Sequence, residues 1–349
     1  MRRVLSALLA LCMLLCTGCA PKPLTRYTHS FFGTFDTFIV LTGYAQDQET
    51  FDRAAQLCES EFRRYHELFT PYNHSKNVEN IFNLNEKAWK APVQVSGEMM
   101  ELLSFCKAQA EISPVVNPAM GRVLNLWHTA RSDAEFDPYN AAIPAVEDLL
   151  AANEHTDLKD LILDPEAMTV FFADEKLRLE LGAIAKGFAA QKVAEAVAKI
   201  IPVFSLNAGG NIVTGQSPDG KGWKVGIQHP DKDIISDDNT YLCTLQAENC
   251  AIVTSGDYQR NFWAEGQLWH HLIDPETLMP ATHCRAVTVI APASALADWL
   301  STAAFVLPYE EARKLVEDSG AQALWYLPNG SVEMTEGFEK LLTSEVQGI

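Results

Sequence analysis

Asp298 and Thr302 stand four residues apart in Ala297-Asp298-Trp299-Leu300-Ser301-Thr302-Ala303, a spacing that puts both oxygens on one helix face. Such hard oxygen donors suit Mg²⁺ better than a softer metal. The run around them is apolar, and a buried carboxylate needs a cation or several donors for company; capping or salt-bridging would also supply it. Glu180-Leu181-Gly182-Ala183-Ile184-Ala185-Lys186-Gly187 reads as a strand passing through glycine into a helix. Either this is an ordinary helix entry, or its N-terminus takes an anion with Lys186 beside it. Gly209-Gly210 marks a β-turn, a bulge or a surface pressed by another backbone or a ligand. Adjacent His270 and His271 point to opposite faces of a strand, which argues against both chelating one ion. One of them beside Asp274 is either structural or a general base.

The elements that must position these groups read as follows. A strand covers residues 33–41, an amphipathic helix 48–67, and a second helix 97–112 with Ser96 as N-cap. Residues 130–165 read as peripheral loop and short helix. Extended segments follow at 168–173 and 177–182, a helix at 187–200, and extended segments at 203–214, 223–228 and 241–254. A strand at 285–291, helices at 294–307 (capped by Ser294) and 309–318, and a closing hairpin at 322–335 complete the chain. Strands and helices without strict alternation give an α+β (mixed α/β) class, with no composition break inside it.

With 349 residues, 48% of them hydrophobic, the chain can bury a large core and is not disordered. Its formal charge of −18 excludes nucleic acid as a partner and repels anionic substrates, unless a metal or local cations offset the field. Arg2 and Arg3 precede an apolar run from Val4 to Leu15, too short to span a membrane, which reads as a secretory signal. Cys16-Thr17-Gly18-Cys19 resembles a bacterial lipobox. The organisation expected is therefore a signal peptide at 1–18, a tether at 19–30 beginning with lipidated Cys19, and one domain at 31–349. That places the protein on the extracytoplasmic side of a membrane. Cys58, Cys106, Cys243, Cys250 and Cys284 show no CxxC spacing; a Cys243–Cys250 pair is possible, and most are expected to be buried apolar groups.

Taken in order, the motifs resemble the ApbE family of FAD:protein FMN transferases. They are the strand at 33–40, Phe69-Thr70-Pro71-Tyr72 with Ser75 and Asn85, Val116-Asn117-Pro118 with Leu126-Trp127, and Leu181 to Gly187. Asn207-Ala208-Gly209-Gly210, Trp223 to Ile227 with His229-Pro230, Thr254-Ser255-Gly256, His271 to Pro275, and Ala297-Asp298 with Thr302 continue it. The resemblance implies a mixed sheet flanked by helices, with FAD in a cleft between subdomains. It implies Mg²⁺-dependent transfer of FMN from FAD to a Thr or Ser hydroxyl of an exported flavoprotein, such as a subunit of a membrane redox pump, with AMP leaving. Metal ligands would be Asp298, Thr302 and the carbonyl of Ala183. FAD contacts would be Phe35, Tyr72, Val115, Val116, Asn117, Glu180, Lys186 and Leu272. His271 would be the base, oriented by Asp274. Phe35-Asp36-Thr37, Asn117, Glu180 and Asn211 depart from the usual Met-Gly-Thr, Asp, Asp and Asp. Hydrolysis of FAD to FMN and AMP, or passive flavin binding by a lipoprotein, are the alternatives.

Overall fold

The computed structural model describes residues 23–232 and 240–347. The expected signal peptide and Cys19 lie outside the described residues. The centre is an eight-stranded antiparallel sheet whose spatial order is also its chain order. Its strands are β1 (Thr25–Thr34), β2 (Thr37–Ala45), β3 (Phe204–Ala208), β4 (Asn211–Thr214), β5 (Ala251–Gly256), β6 (Ala286–Ala291), β7 (Gln322–Tyr326) and β8 (Val332–Met334). Four helices cover one face in the same sequence. α1 (Gln48–Phe69) lies on β1 and β2, α2 (Ala185–Ala198) on β3 and β4, α3 (Ser294–Val306) on β5 and β6, and α4 (Tyr309–Asp318) on β7.

Period-two alternation divides the central strands between two cores. Ala251 and Val253 of β5, Val287 and Val289 of β6, and Ala323 and Trp325 of β7 face the helices. Ile252, Ala286, Ile290, Leu324 and Tyr326 face the other way, onto Val225, Ile227, Leu242 and Leu245 of a hairpin built from Trp223–Gln228 and Tyr241–Ala247. Strands buried on both faces read as continuous apolar runs, as Ala286–Ala291 does. A smaller lobe joins the helices Gly121–Phe136 and Val146–Asn153 to a hairpin of Asn261–Ala264 and Gln267–His270, around Met120, Val123, Trp127, Phe262 and Ile273.

Several expectations change. β1 begins at Thr25, pairing Thr25 with Ala45, so the expected tether at 19–30 gives up half its length to the sheet. Within residues 130–165, read as peripheral, Arg131 on the lobe helix Gly121–Phe136 lines the cleft. Residues 177–182 form no ladder strand. Their extended backbone is held instead by Asn85, whose Oδ1 accepts from Leu179 N at 2.7 Å while its Nδ2 donates to Leu179 O at 3.0 Å. The run at 241–254 is two strands in two sheets. All five cysteines expected in the fold are free, which removes the Cys243–Cys250 pair.

α2 and α3 cap each other. α2 starts at Ala185, two residues earlier than expected, and its N-cap Ile184 offers no side-chain bond. Asp298 of α3 supplies one, its Oδ2 accepting from Gly187 N at 2.7 Å. In return, Gln191 of α2 accepts from Ala295 N at 3.2 Å at the start of α3. Ser294 is therefore the first helical residue and not the cap, and its buried hydroxyl has no partner. Only glycine permits this approach: a Cβ at position 187 would lie 2.4 Å from Asp298 Cβ and 2.6 Å from Ser294 O. Gly187→Ala is expected to cost about 1–3 kcal/mol in urea unfolding, the range for overpacking a tight core. Gly97→Ala, at a helix start with nothing within 4 Å, is the control and should be neutral or slightly stabilising.

Candidate active site

An up-and-down meander returns its odd connections to one end of the sheet. There the β1–β2 turn (Phe35-Asp36), the β3–β4 turn (Gly209-Gly210) and the long β5–β6 connection meet. Gly209 and Gly210 have φ of +58° and +92°, forming the two-residue turn between Ala208 and Asn211. A Cβ on Gly209 would fall 1.7 Å from Thr37 Oγ1. The glycine pair is thus both a β-turn and a surface pressed by a neighbour.

Between the sheet and the lobe opens a cleft of about 890 Å³. Asp298 lines it, 5% exposed, and burial pushes its carboxyl up, opposed by the Lys186 charge and the Gly187 N–H. Lys186 also lines the cleft, with burial lowering its pKa and Asp298 countering. Its ammonium donates to Gly209 O at 3.3 Å and to Asn211 Oδ1. Among the described residues Asp298 forms no direct ion pair, and the Lys186 charge acts on it only from a distance. Thr302 and Ala183 line the same cleft. One carboxylate, one hydroxyl and one main-chain carbonyl make a hard-oxygen set suited to Mg²⁺, which keeps positions for water and phosphate oxygens. No group of three or more His, Cys, Asp or Glu that could hold a metal stands among the described residues, so a cation here depends on neutral oxygens as well.

His271 follows the lobe hairpin and lines the cleft. Its Nδ1 lies 3.3 Å from the carbonyl of Arg260, which can only accept, so Nδ1 carries the proton and Nε2 keeps its lone pair. Burial, then the charges of Arg260, His270 and Arg131, push its pKa down to about 3. Asp274 does not orient this ring. Its Oδ1 accepts from Glu276 N at 2.9 Å and its Oδ2 from Thr277 Oγ1 at 3.0 Å, closing its own turn. An Asp followed by Pro is well placed to hold a turn, and that local role wins. His270 is structural: its Nε2 lies 3.0 Å from Ala281 O, and its Nδ1 accepts from Leu272 N at 3.2 Å.

Of the other residues expected at the site, Tyr72, Val115, Val116, Asn117, Glu180 and Leu272 all line the cleft. Tyr72 stacks on His128 with ring centroids 4.4 Å apart. Asn117 donates to Thr156 O and accepts from Ala119 N, both at 2.9 Å, so its amide serves two partners where a carboxylate could only accept. Glu180 accepts from Gly182 N at 3.0 Å, and burial raises its pKa. What comes close to Gly182 is therefore the Glu180 carboxylate, 2.9 Å from where a Cβ would stand. Phe35 is not brought into the cleft. Its ring turns to Phe62 and His66 at 6.4 and 5.5 Å, while its neighbours Asp36 and Thr37 line the wall. Sequence reasoning missed His128, Arg131 and Arg260, all in the lining. The available signal was the charge argument: an acidic chain that takes an anion must gather local cations.

A family model described as "ApbE family" matches residues 33–325. The FAD:protein FMN transferase of Treponema pallidum is 34% identical over 272 residues, covering 73% of this chain and 72% of that protein. The FAD:protein FMN transferase of Klebsiella pneumoniae is 29% identical over 277 residues, covering 78% and 80%. Among solved structures, the ApbE protein of Thermotoga maritima superposes with a TM-score of 0.79 at 26% identity, over 92% of this chain and all of that one.

The depressed His271 pKa gives a pH dependence of stability. The unfolded histidine takes up a proton near its ordinary 6.5 and the folded one only near 3, so between these values acid favours unfolding. Thermal melts from pH 7 to pH 4 should therefore fall more steeply for wild type than for His271→Asn. Equal slopes would show that His271 is not buried in this way.

Proposed function

The chain belongs to the ApbE family, and from that premise we propose that it is an Mg²⁺-dependent FAD:protein FMN transferase that flavinylates an exported protein. The observation that carries the reading is one cleft holding an unpaired buried carboxylate, Asp298, and a neutral imidazole, His271. The acceptor is a protein bearing a Thr or Ser hydroxyl, and the products are a phosphoester-linked FMN and AMP.

Asp298, Thr302 and the carbonyl of Ala183 would hold Mg²⁺, whose contribution is charge neutralisation at the diphosphate. Tyr72, stacked on His128, offers a flat face for one ring system of FAD, and Val115 to Asn117, Glu180 and Leu272 line the same cleft. Lys186 stands at the start of α2, where N–H groups and an ammonium favour phosphate oxygens. His271 Nε2 accepts the proton of the acceptor hydroxyl. That oxygen bonds to the FMN phosphorus, the bond to the AMP oxygen breaks, and AMP carries away the electron pair. The ring stays neutral and so able to accept a proton at physiological pH, and phosphate charge bound beside it would raise its basicity.

Incubating the protein with FAD, Mg²⁺ and exported proteins of the same cell should give a fluorescent band that survives denaturation. Asp298→Asn keeps an acceptor for Gly187 N while removing the charge; it should abolish labelling and leave the melt near wild type. His271→Ala should slow labelling roughly 10²–10⁴-fold. Asp274→Asn should label normally, since Asp274 serves only its own turn. FMN and AMP released with no labelled protein would mean that water is the acceptor.

Membrane anchoring through a lipid on Cys19 is part of the same proposal. No helix among the described residues is long and apolar enough to cross a membrane. Six residues from Cys19 to Thr25 reach about 20 Å at most, which would hold β1 close to the bilayer. Cys19→Ser should move the protein to the soluble exported fraction, because a diacylated cysteine would be the whole anchor. Persistent membrane association would overturn this point.

A further inference from the structure

Arg260 lies in the β5–β6 connection and lines the cleft half-buried. Among the described residues it enters no ion pair, whereas Arg64 and Arg285 are each paired with two carboxylates. Among the described residues its guanidinium makes one hydrogen bond, from Nη2 to the carbonyl of Phe35 at 3.0 Å. Five N–H donors in a rigid fork leave most of that group facing the cleft.

The carbonyl it holds belongs to a strained turn. Phe35 and Asp36 have φ of +52° and +50°, which a bulky aromatic residue rarely adopts. The turn is fastened from both sides, by His66 Nδ1 accepting from Phe35 N at 3.2 Å and by Arg260 on Phe35 O. Strain held this firmly beside a cleft has a use when it fixes something else. Here it fixes the guanidinium, and the main-chain carbonyl of the same residue fixes the His271 tautomer. One residue thus ties the sheet-end turn, the imidazole and the charge of the cleft together.

We infer that Arg260 is the positioning residue of the site, its fork taking the diphosphate oxygens of a dinucleotide while its carbonyl aims His271 Nε2 at the incoming hydroxyl. This rests on the transferase reading given above. The assignment also explains how an acidic chain accepts an anionic substrate. Arg131 spends its charge partly on Glu135 at 3.6 Å and Lys186 its hydrogen bonds on Gly209 and Asn211, while Lys224 stands exposed at the rim, leaving Arg260 as the half-buried cation with most donors unspent. The groups that charge His271 feels are Arg260, His270 and Arg131, so removing the guanidinium leaves the carbonyl contact but lifts one repulsion from the ring.

The test compares wild type, Arg260→Ala and Arg260→Lys by FAD binding calorimetry, thermal melts and pH profiles of covalent labelling. Arg260→Ala should weaken FAD binding roughly 10- to 100-fold, the worth of charge-assisted bonds to phosphate. The acid limb of its labelling profile should move to higher pH. Arg260→Lys keeps the charge, so it should restore the acid limb and only part of the affinity. If Arg260→Ala proves unstable, the lysine variant decides alone: affinity equal to wild type would overturn the fork. Overturned equally is the inference if Arg260→Ala binds FAD within twofold of wild type and keeps its acid limb. The binding arm needs no acceptor protein, so wild type that binds FAD tightly yet labels nothing would sink the transferase reading and leave Arg260 supported by its own affinity loss.

Discussion

The contact of Asp298 with the backbone of Gly187 is the constraint from which the cleft follows. A carboxylate 5% exposed inside a helix layer is expensive to bury. The N–H at the start of α2, with its partial positive charge, offsets some of that cost. The bond forms only because position 187 lacks a side chain, and it brings α2 and α3 close enough for Gln191 to cap α3 in return. Two helices that cap each other cannot slide independently. Lys186, one residue before the glycine, and Thr302, one turn beyond the aspartate, are thereby held over the same end of the sheet.

Topology supplies the opposite wall. Because strand order equals chain order, the turns after β1 and β3 and the connection after β5 share one end of the sheet. Both short turns use left-handed residues, at Phe35-Asp36 and Gly209-Gly210, and they touch through Thr37. The β5–β6 connection is long enough to carry a hairpin of its own, and that hairpin delivers His271 to the cleft. A rigid sheet thus presents irregular backbone where substrate must enter, as loops on fixed scaffolds commonly do.

Charge is arranged against the grain of the whole molecule. The chain carries −18, yet the cleft gathers Arg131, Lys186, Lys224 and Arg260 around Asp36, Glu180 and Asp298. Low dielectric makes the more buried of these charges, Asp298, Glu180 and Lys186, count for more than those on the surface. Burial keeps His271 neutral, with the nearby cations adding to it, and raises the two buried carboxyls against the pull of those same cations, so the site sits away from ordinary titration behaviour in both directions.

By itself the sequence determined the mixed α/β class, helices read at 48–67 and 294–307, a carboxylate and a hydroxyl on one helix face, and membership of the family. Those are local matters: helical spacing of apolar residues, a carboxylate and hydroxyl at i and i+4, and motifs in fixed order. It also misread what depends on distant partners. Residues 177–182 have the alternation of a strand but pair with the side chain of Asn85, more than ninety positions away. Asp274 next to His271 in sequence looked like its orienting group, yet the chain turns between them and Arg260 takes that place. Phe35 had the right chemistry to stack on a flavin, but the left-handed turn sends its ring into the core and puts Asp36 in the cleft. Only the tertiary structure decided these, because the direction of a side chain is set by backbone dihedrals and by which remote group reaches it first.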